Sequence, residues 1–171
     1  QVRCVGKSQS EKIIASYRID QTKIVIAPIP TKNEDLLPSW NRSLLPVVAF
    51  LGRLHKERSV KVWAETAKEI YLMNKNVKFL IVGDGPERYS CEQLARKLNL
   101  CDKVLFLGKL RDTAHVLEIA DVFLLPSETE SFGLAALEAM AQSVPVISSN
   151  TGGLAEVNKH GFSGFLSNVG D

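Results

Sequence analysis

The sequence is short of most features that mark a specialised chain. Cysteine occurs three times in 171 residues (Cys4, Cys91, Cys101), an odd number with no Cys-x-x-Cys pair. This argues against a disulfide framework and fits a reducing compartment. The three read as small, mostly buried side chains rather than metal ligands. Charge of one sign is also scarce. A net charge of +2 is far from the concentrated basic excess that a nucleic-acid surface needs, so no nucleic-acid partner is expected. No apolar run approaches the ~20 residues of a membrane-spanning helix. No signal-peptide pattern opens the chain, and there is no internal repeat or low-complexity tract.

What is present is an ordinary globular mixture, 45% apolar and 23% charged, long enough for one domain with a real core. Five short runs are continuously apolar: 46–52, 77–83, 103–108, 121–126 and 144–148. Runs without alternation are expected of parallel strands covered on both faces. Helical patterns separate them at 60–74, 89–98, 112–120 and 132–142. In the first, Val60, Trp63, Ala64, Ala67, Ile70 and Tyr71 form one stripe. Strand–helix alternation predicts an α/β fold, a Rossmann-like doubly wound parallel sheet over 46–171. Residues 1–45 differ: strands at 2–6 and 23–30 flank a serine-capped helix at 8–19, and 31–45 reads as a linker.

Ligands of such sheets bind at the carboxyl ends of the strands, so residues just after each strand are the candidates. Arg53 and Arg58 follow the first core strand, and guanidinium groups grip phosphate oxygens with paired hydrogen bonds. On spacing alone they also suit a solvated basic turn. Gly83 and Gly85 permit close backbone approach after the second strand. The dinucleotide fingerprint lacks its third glycine, since Arg88 stands there. In "PSETESFGLAALEAMA", Ser127 and Thr129 offer hydroxyls, and Gly133 opens a helix whose free amides suit an anion. Glu130 precedes that helix. Glu138 lies eight residues on among apolar neighbours, where a carboxylate needs a partner or a ligand. A glycine turn follows at Gly152 and Gly153, with Glu156 after it.

Together "GRLHKER", "IVGDGPE", "VLFLG", "ADVFLLPSETESFGLAALEAMA", "PVISSNTGGLAE" and "GFSGFLSNVGD" resemble the C-terminal nucleotide-binding domain of the retaining family-4 (group 1) glycosyltransferases. These enzymes have the GT-B fold of two facing Rossmann-like domains. The Glu-x7-Glu pattern from Glu130 to Glu138 is the most specific mark. The resemblance implies a hexosyltransferase-type enzyme that binds a nucleotide-sugar donor, with roles position by position. Arg53 and Arg58 would hold the donor diphosphate. Glu130 would contact the donor sugar, with Phe132 and Gly133 lining its pocket. The amides of Gly133, Leu134 and Ala135 would meet the phosphates, and Glu138 the ribose hydroxyls. Lys109, Leu110 and Arg111 would lie against the base, and Gly83 would line the site. Glu130, Arg53 and Arg58 are the catalytic candidates.

The resemblance further implies a small-molecule or glycan acceptor and a cytoplasmic location, with a peripheral position at the inner membrane face as the variant. It implies no cofactor. Asp-x-Asp occurs nowhere, so no metal is expected on the departing diphosphate. Residues 1–45 would be the end of an acceptor-binding domain plus a linker, which makes the chain a fragment that binds donor and transfers little. "VGDGPE", "VLFLGK", "LLPSE" and "NTGG" are most similar to the N-acetylglucosaminyl-malate synthases, implying UDP-N-acetylglucosamine as donor. Arg58 departs from the family's lysine, and Ser59 and Ser143 from its glycines. "APIPT" stands in place of Pro-Asn-Gly. Two competing functions are an NAD-type oxidoreductase domain, which the incomplete fingerprint disfavours, and a non-catalytic nucleotide-sugar-binding module.

Overall fold

The computed structural model describes Val2–Cys4, Glu11, Ala15, Thr22, Ile24–Ile26 and residues 45–171. β1 (Val2–Cys4) and β2 (Ile24–Ile26) pair in parallel, Val2 opposite Ile24. Glu11 and Ala15 are helical. The rest of the helix expected at 8–19, and nearly all of the linker expected at 31–45, lie outside the described residues.

Beyond them runs one alternating series: β3 (Val47–Leu51), α1 (Val60–Met73), β4 (Lys78–Val82), α2 (Arg88–Lys97), β5 (Val104–Gly108), α3 (Ala114–Glu118), β6 (Val122–Leu125), α4 (Leu134–Ala141), β7 (Val146–Ser149), α5 (Leu154–Val157) and β8 (Gly164–Ser167). The strands form one six-stranded sheet in the order β5-β4-β3-β6-β7-β8, every pair parallel. This is the doubly wound α/β architecture expected from the continuous apolar runs. All five expected core strands and all four expected helices occur, with α3 and α4 shorter than their patterns.

The core forms where helices cover the central strands. Trp63 of α1 is fully buried between Phe50 of β3 and Phe79 of β4, its ring edge-on to both at 6.3 and 5.8 Å. Each such ring pair contributes about 1 kcal/mol beyond the area buried. That offsets a cost of similar size, because the Trp63 Nε1–H has no acceptor among the described residues. Val60, Ala64 and Ala67 complete the buried stripe, with Ile70 and Tyr71 at its edge.

Two elements escaped the pattern reading. α5 has four residues and β8 opens on a glycine, too short for either period to register. Asn158 holds them. It is fully buried, and its amide nitrogen donates to the carbonyls of Val146 and Phe165 and to Ser148 Oγ, bridging β7 and β8. The cysteines also need correction. Cys91 is buried but Cys101 is exposed, because it falls in the turn after α2 rather than on a covered face.

Ser143 stands in a conformation that favours glycine. It ends α4 with φ 60°. Its amide bonds the Met140 carbonyl at 2.9 Å, and the Val144 amide the Ala139 carbonyl at 3.0 Å. This six-to-one, five-to-two pairing is a helix stop that glycine adopts without steric cost. Serine takes the same left-handed conformation against its preference.

Candidate functional site

The sheet order determines where a ligand can sit. From β3 the chain runs outward through β4 to β5, then returns to β6 on the other side of β3. At that reversal the connections leave the carboxyl ends of β3 and β6 in opposite directions, opening a crevice. The Arg53 turn leaves β3 there, and the Ser127–Glu130 loop leaves β6 there.

On the β3–β4–β5 side is a cleft of about 660 Å³. Arg53, Gly83, Lys109 and Leu110 line it, together with Asp84 and Thr113. Arg53 and Lys109 are exposed, and no described residue pairs with either. Arg111 is exposed and does not line the cleft. The glycine at 83 also receives a neighbouring turn. It has φ 132°, and a Cβ there would land on the carbonyl oxygen of Gly52. Its missing side chain therefore admits a neighbouring backbone: the β3 turn packs on the β4 turn, with Leu54 N–H donating to the Asp84 carbonyl at 3.0 Å.

On the β6 side the loop is tied to the turn of residues 56–59. Arg58 Nη1 donates to Ser127 Oγ at 3.3 Å and forms an ion pair with Glu130 Oε2. The Glu128 N–H donates to the Glu57 carbonyl at 2.9 Å, and Ser59 Oγ to Glu128 Oε1 at 3.1 Å. Ser59 has φ 46°, a second left-handed serine after Ser143. Its hydroxyl bond offsets part of that strain. Burial lowers the Arg58 pKa, opposed by the charge of Glu57.

Glu130 is fixed from behind as well. Its carbonyl accepts the Gly153 N–H at 2.9 Å. Gly152, with φ 49°, presses so closely that a Cβ would strike the Glu130 carbonyl oxygen. The glycine turn after β7 thus seats the loop that carries the acid. Phe132 and Gly133 are buried, and a Cβ on Gly133 would lie 2.9 Å from Leu154 of α5.

α4 starts at Leu134, so four of the eight steps from Glu130 to Glu138 are helical, about 6 Å of rise. The first amides of α4, those of Leu134 and Ala135 included, have no intrahelical acceptor and face the same edge of the sheet. Glu138 is half-buried on α4. Burial raises its pKa above the ordinary glutamate value, and no described residue bonds its carboxylate. Burying an acid that no described residue pairs is costly.

The candidates therefore separate into three groups. Arg53, Gly83, Lys109 and Leu110 share the cleft, Arg58 and Glu130 are paired with each other, and Glu138 stands with the helix start. Among the described residues the two arginines share no partner. Thr113, Ser59 and Glu128 were not singled out as site residues. Each reaches the site through the packing of a turn from another strand, which no local spacing encodes. Among the described residues no group of three or more His, Cys, Asp or Glu could hold a metal ion, and no helix is long and apolar enough to cross a membrane.

Comparison with known proteins adds to this geometry. A family model described as glycosyl transferases group 1 matches residues 39–171. The chain is 46% identical over 112 residues to the N-acetyl-alpha-D-glucosaminyl L-malate synthase of Bacillus anthracis, covering 66% of this chain and 28% of that protein. Among solved structures, Anabaena HepE in complex with UDP-glucose superposes with TM-score 0.69 at 28% identity, covering 75% of this chain and 36% of that one. A glycosyltransferase from Rickettsia africae superposes over 100% of this chain and 50% of its own, with TM-score 0.84 at 21% identity, a likeness of fold alone. The chain spans 28% to 46% of the length of the first two curated relatives it matches. These matches favour the transferase reading over the dinucleotide oxidoreductase.

Proposed function

Since the chain belongs to the group 1 glycosyl transferases, we propose that it is the donor-binding part of a retaining glycosyltransferase that takes a UDP-sugar, with UDP-N-acetylglucosamine the first to test. The observation that carries this reading is Glu138, a half-buried carboxylate that no described residue partners, on the helix that opens at the sheet's reversal point. Vicinal hydroxyls of a ribose would supply the missing donors. The diphosphate would lie on the first amides of α4 with Arg53 and Arg58. Glu130 would meet the sugar, beside Phe132 and Gly133. The base would lie in the cleft against Lys109 and Leu110, with Arg111 at its rim.

In transfer, charge builds on the departing diphosphate. Two guanidinium groups and a helix start, fixed before reaction, would stabilise it, with no metal assigned to that role. Retention would follow from departure and attack on one face of the sugar. The acceptor, a small molecule or a glycan, would be held by a part of the enzyme outside this donor site. The reading places the protein in the cytoplasm, free or at the inner face of the membrane. The 171 residues would then bind donor and transfer little alone.

Calorimetric titration of the chain with UDP, GDP and NAD tests the proposal. Binding of UDP in the micromolar range, with NAD silent, is expected. NAD binding without UDP binding, or no nucleotide binding by a folded sample, would overturn it.

A further inference from the structure

Arg58 is held in an arrangement that separates its two edges. A guanidinium offers five N–H groups in a rigid plane. Nη1 is occupied by Ser127 Oγ and Glu130 Oε2, while no described residue bonds Nε or Nη2. That free edge is the one that can give two parallel hydrogen bonds to a phosphate. Its direction depends on the Nη1 contacts, because the long arginine stem otherwise retains rotamer freedom.

Ser127 suits this task. Its residue is fully buried at the first turn after β6, so the hydroxyl cannot follow the guanidinium if the side chain moves. The backbone beneath Arg58 is pinned independently by the Glu57–Glu128 and Ser59–Glu128 bonds. Resting on the donor-site reading above, we infer that Ser127 is a positioning residue: it accepts from Arg58 Nη1 and thereby presets the Nε–Nη2 edge for the donor diphosphate. In this role Ser127 acts through Arg58 rather than on the ligand. A lysine at position 58, as in the family pattern, would have no planar edge to orient, so the device belongs to arginine at this position.

A double-mutant cycle on UDP affinity tests the inference. Ser127→Ala is expected to weaken UDP about fivefold in the Arg58 protein, the size of one lost orienting hydrogen bond. In the Arg58→Ala and Arg58→Lys backgrounds the same substitution should change affinity by less than about twofold. Ser127→Cys, which keeps the buried site filled with a weak acceptor, should reproduce the alanine result and covers the case in which alanine disturbs folding. Equal losses in all three backgrounds would assign Ser127 a purely structural role and overturn the inference, as would no loss with Arg58 present. Wild-type chain that fails to bind UDP, or Arg58→Ala that binds it as well as wild type, would instead remove the donor-site role of Arg58 and the inference with it.

Discussion

Glu138→Gln should move stability and ligand affinity in opposite directions. In the folded chain the carboxylate is half-buried with no partner among the described residues, and burial raises its pKa above the ordinary value of 4.5. The folded state thus holds the Glu138 proton more tightly than the unfolded state does. Folding stability from this group is fully present below the ordinary glutamate range and falls as pH rises through the raised folded value. Glutamine has nearly the same shape and no charge to desolvate. At pH 7 the variant should be more stable by about 0.5 kcal/mol, the lower end for relief of a functional strain, or about 1–2 °C in Tm for a domain of this size. The difference should shrink to zero at low pH. With UDP the sign reverses. A carboxylate accepting from ribose hydroxyls makes charge-assisted bonds worth about 2 kcal/mol together, so the variant should bind UDP about thirtyfold more weakly. Scanning calorimetry between pH 4 and 8 and titration at pH 7.5 read both quantities on one sample. Unchanged UDP affinity in a folded Glu138→Gln chain would refute the reasoning, and so would a loss of stability that persists at low pH.

Three further outcomes are expected. Gly152→Ala should cost about 2 kcal/mol or more, because the left-handed φ of 49° and the Glu130 carbonyl leave no room for a Cβ; a Tm drop below 2 °C in thermal melts would contradict it. Ser143→Gly and Ser59→Gly relax the same backbone conformation but should differ: the first gains about 0.5–1 kcal/mol, whereas the second gains less because it forfeits the bond to Glu128. Side-by-side denaturant curves decide between unequal and equal gains. At pH 8 iodoacetamide should label exposed Cys101 well before Cys91, whose thiol is buried and pushed up to about 11 by burial and by Glu87 and Glu92; peptide mass spectrometry would expose the reverse order.

The sequence by itself determined the fold class, because each parallel strand buried on both faces must be apolar throughout and each covering helix must carry a stripe. The central strands β3, β4 and β6 and the α1 stripe from Val60 to Tyr71 were legible for that reason, while β5 and β7 keep apolar runs although Leu105 and Ile147 are exposed. Candidate residues after the strands were legible too, since arginine, glycine and glutamate at strand ends are local facts. Tertiary structure decided how they are used. Gly83 and Gly152 are open turns in the sequence, and only packing shows that each receives another segment's carbonyl. Arg58 and Glu130 stand 72 positions apart, and Ser59 and Glu128 stand 69 apart. They meet because β3 and β6, neighbours across the reversal, release their turns at one edge. That no described residue partners Glu138 is likewise invisible to spacing: it depends on which donors the packing of the other described segments brings within reach.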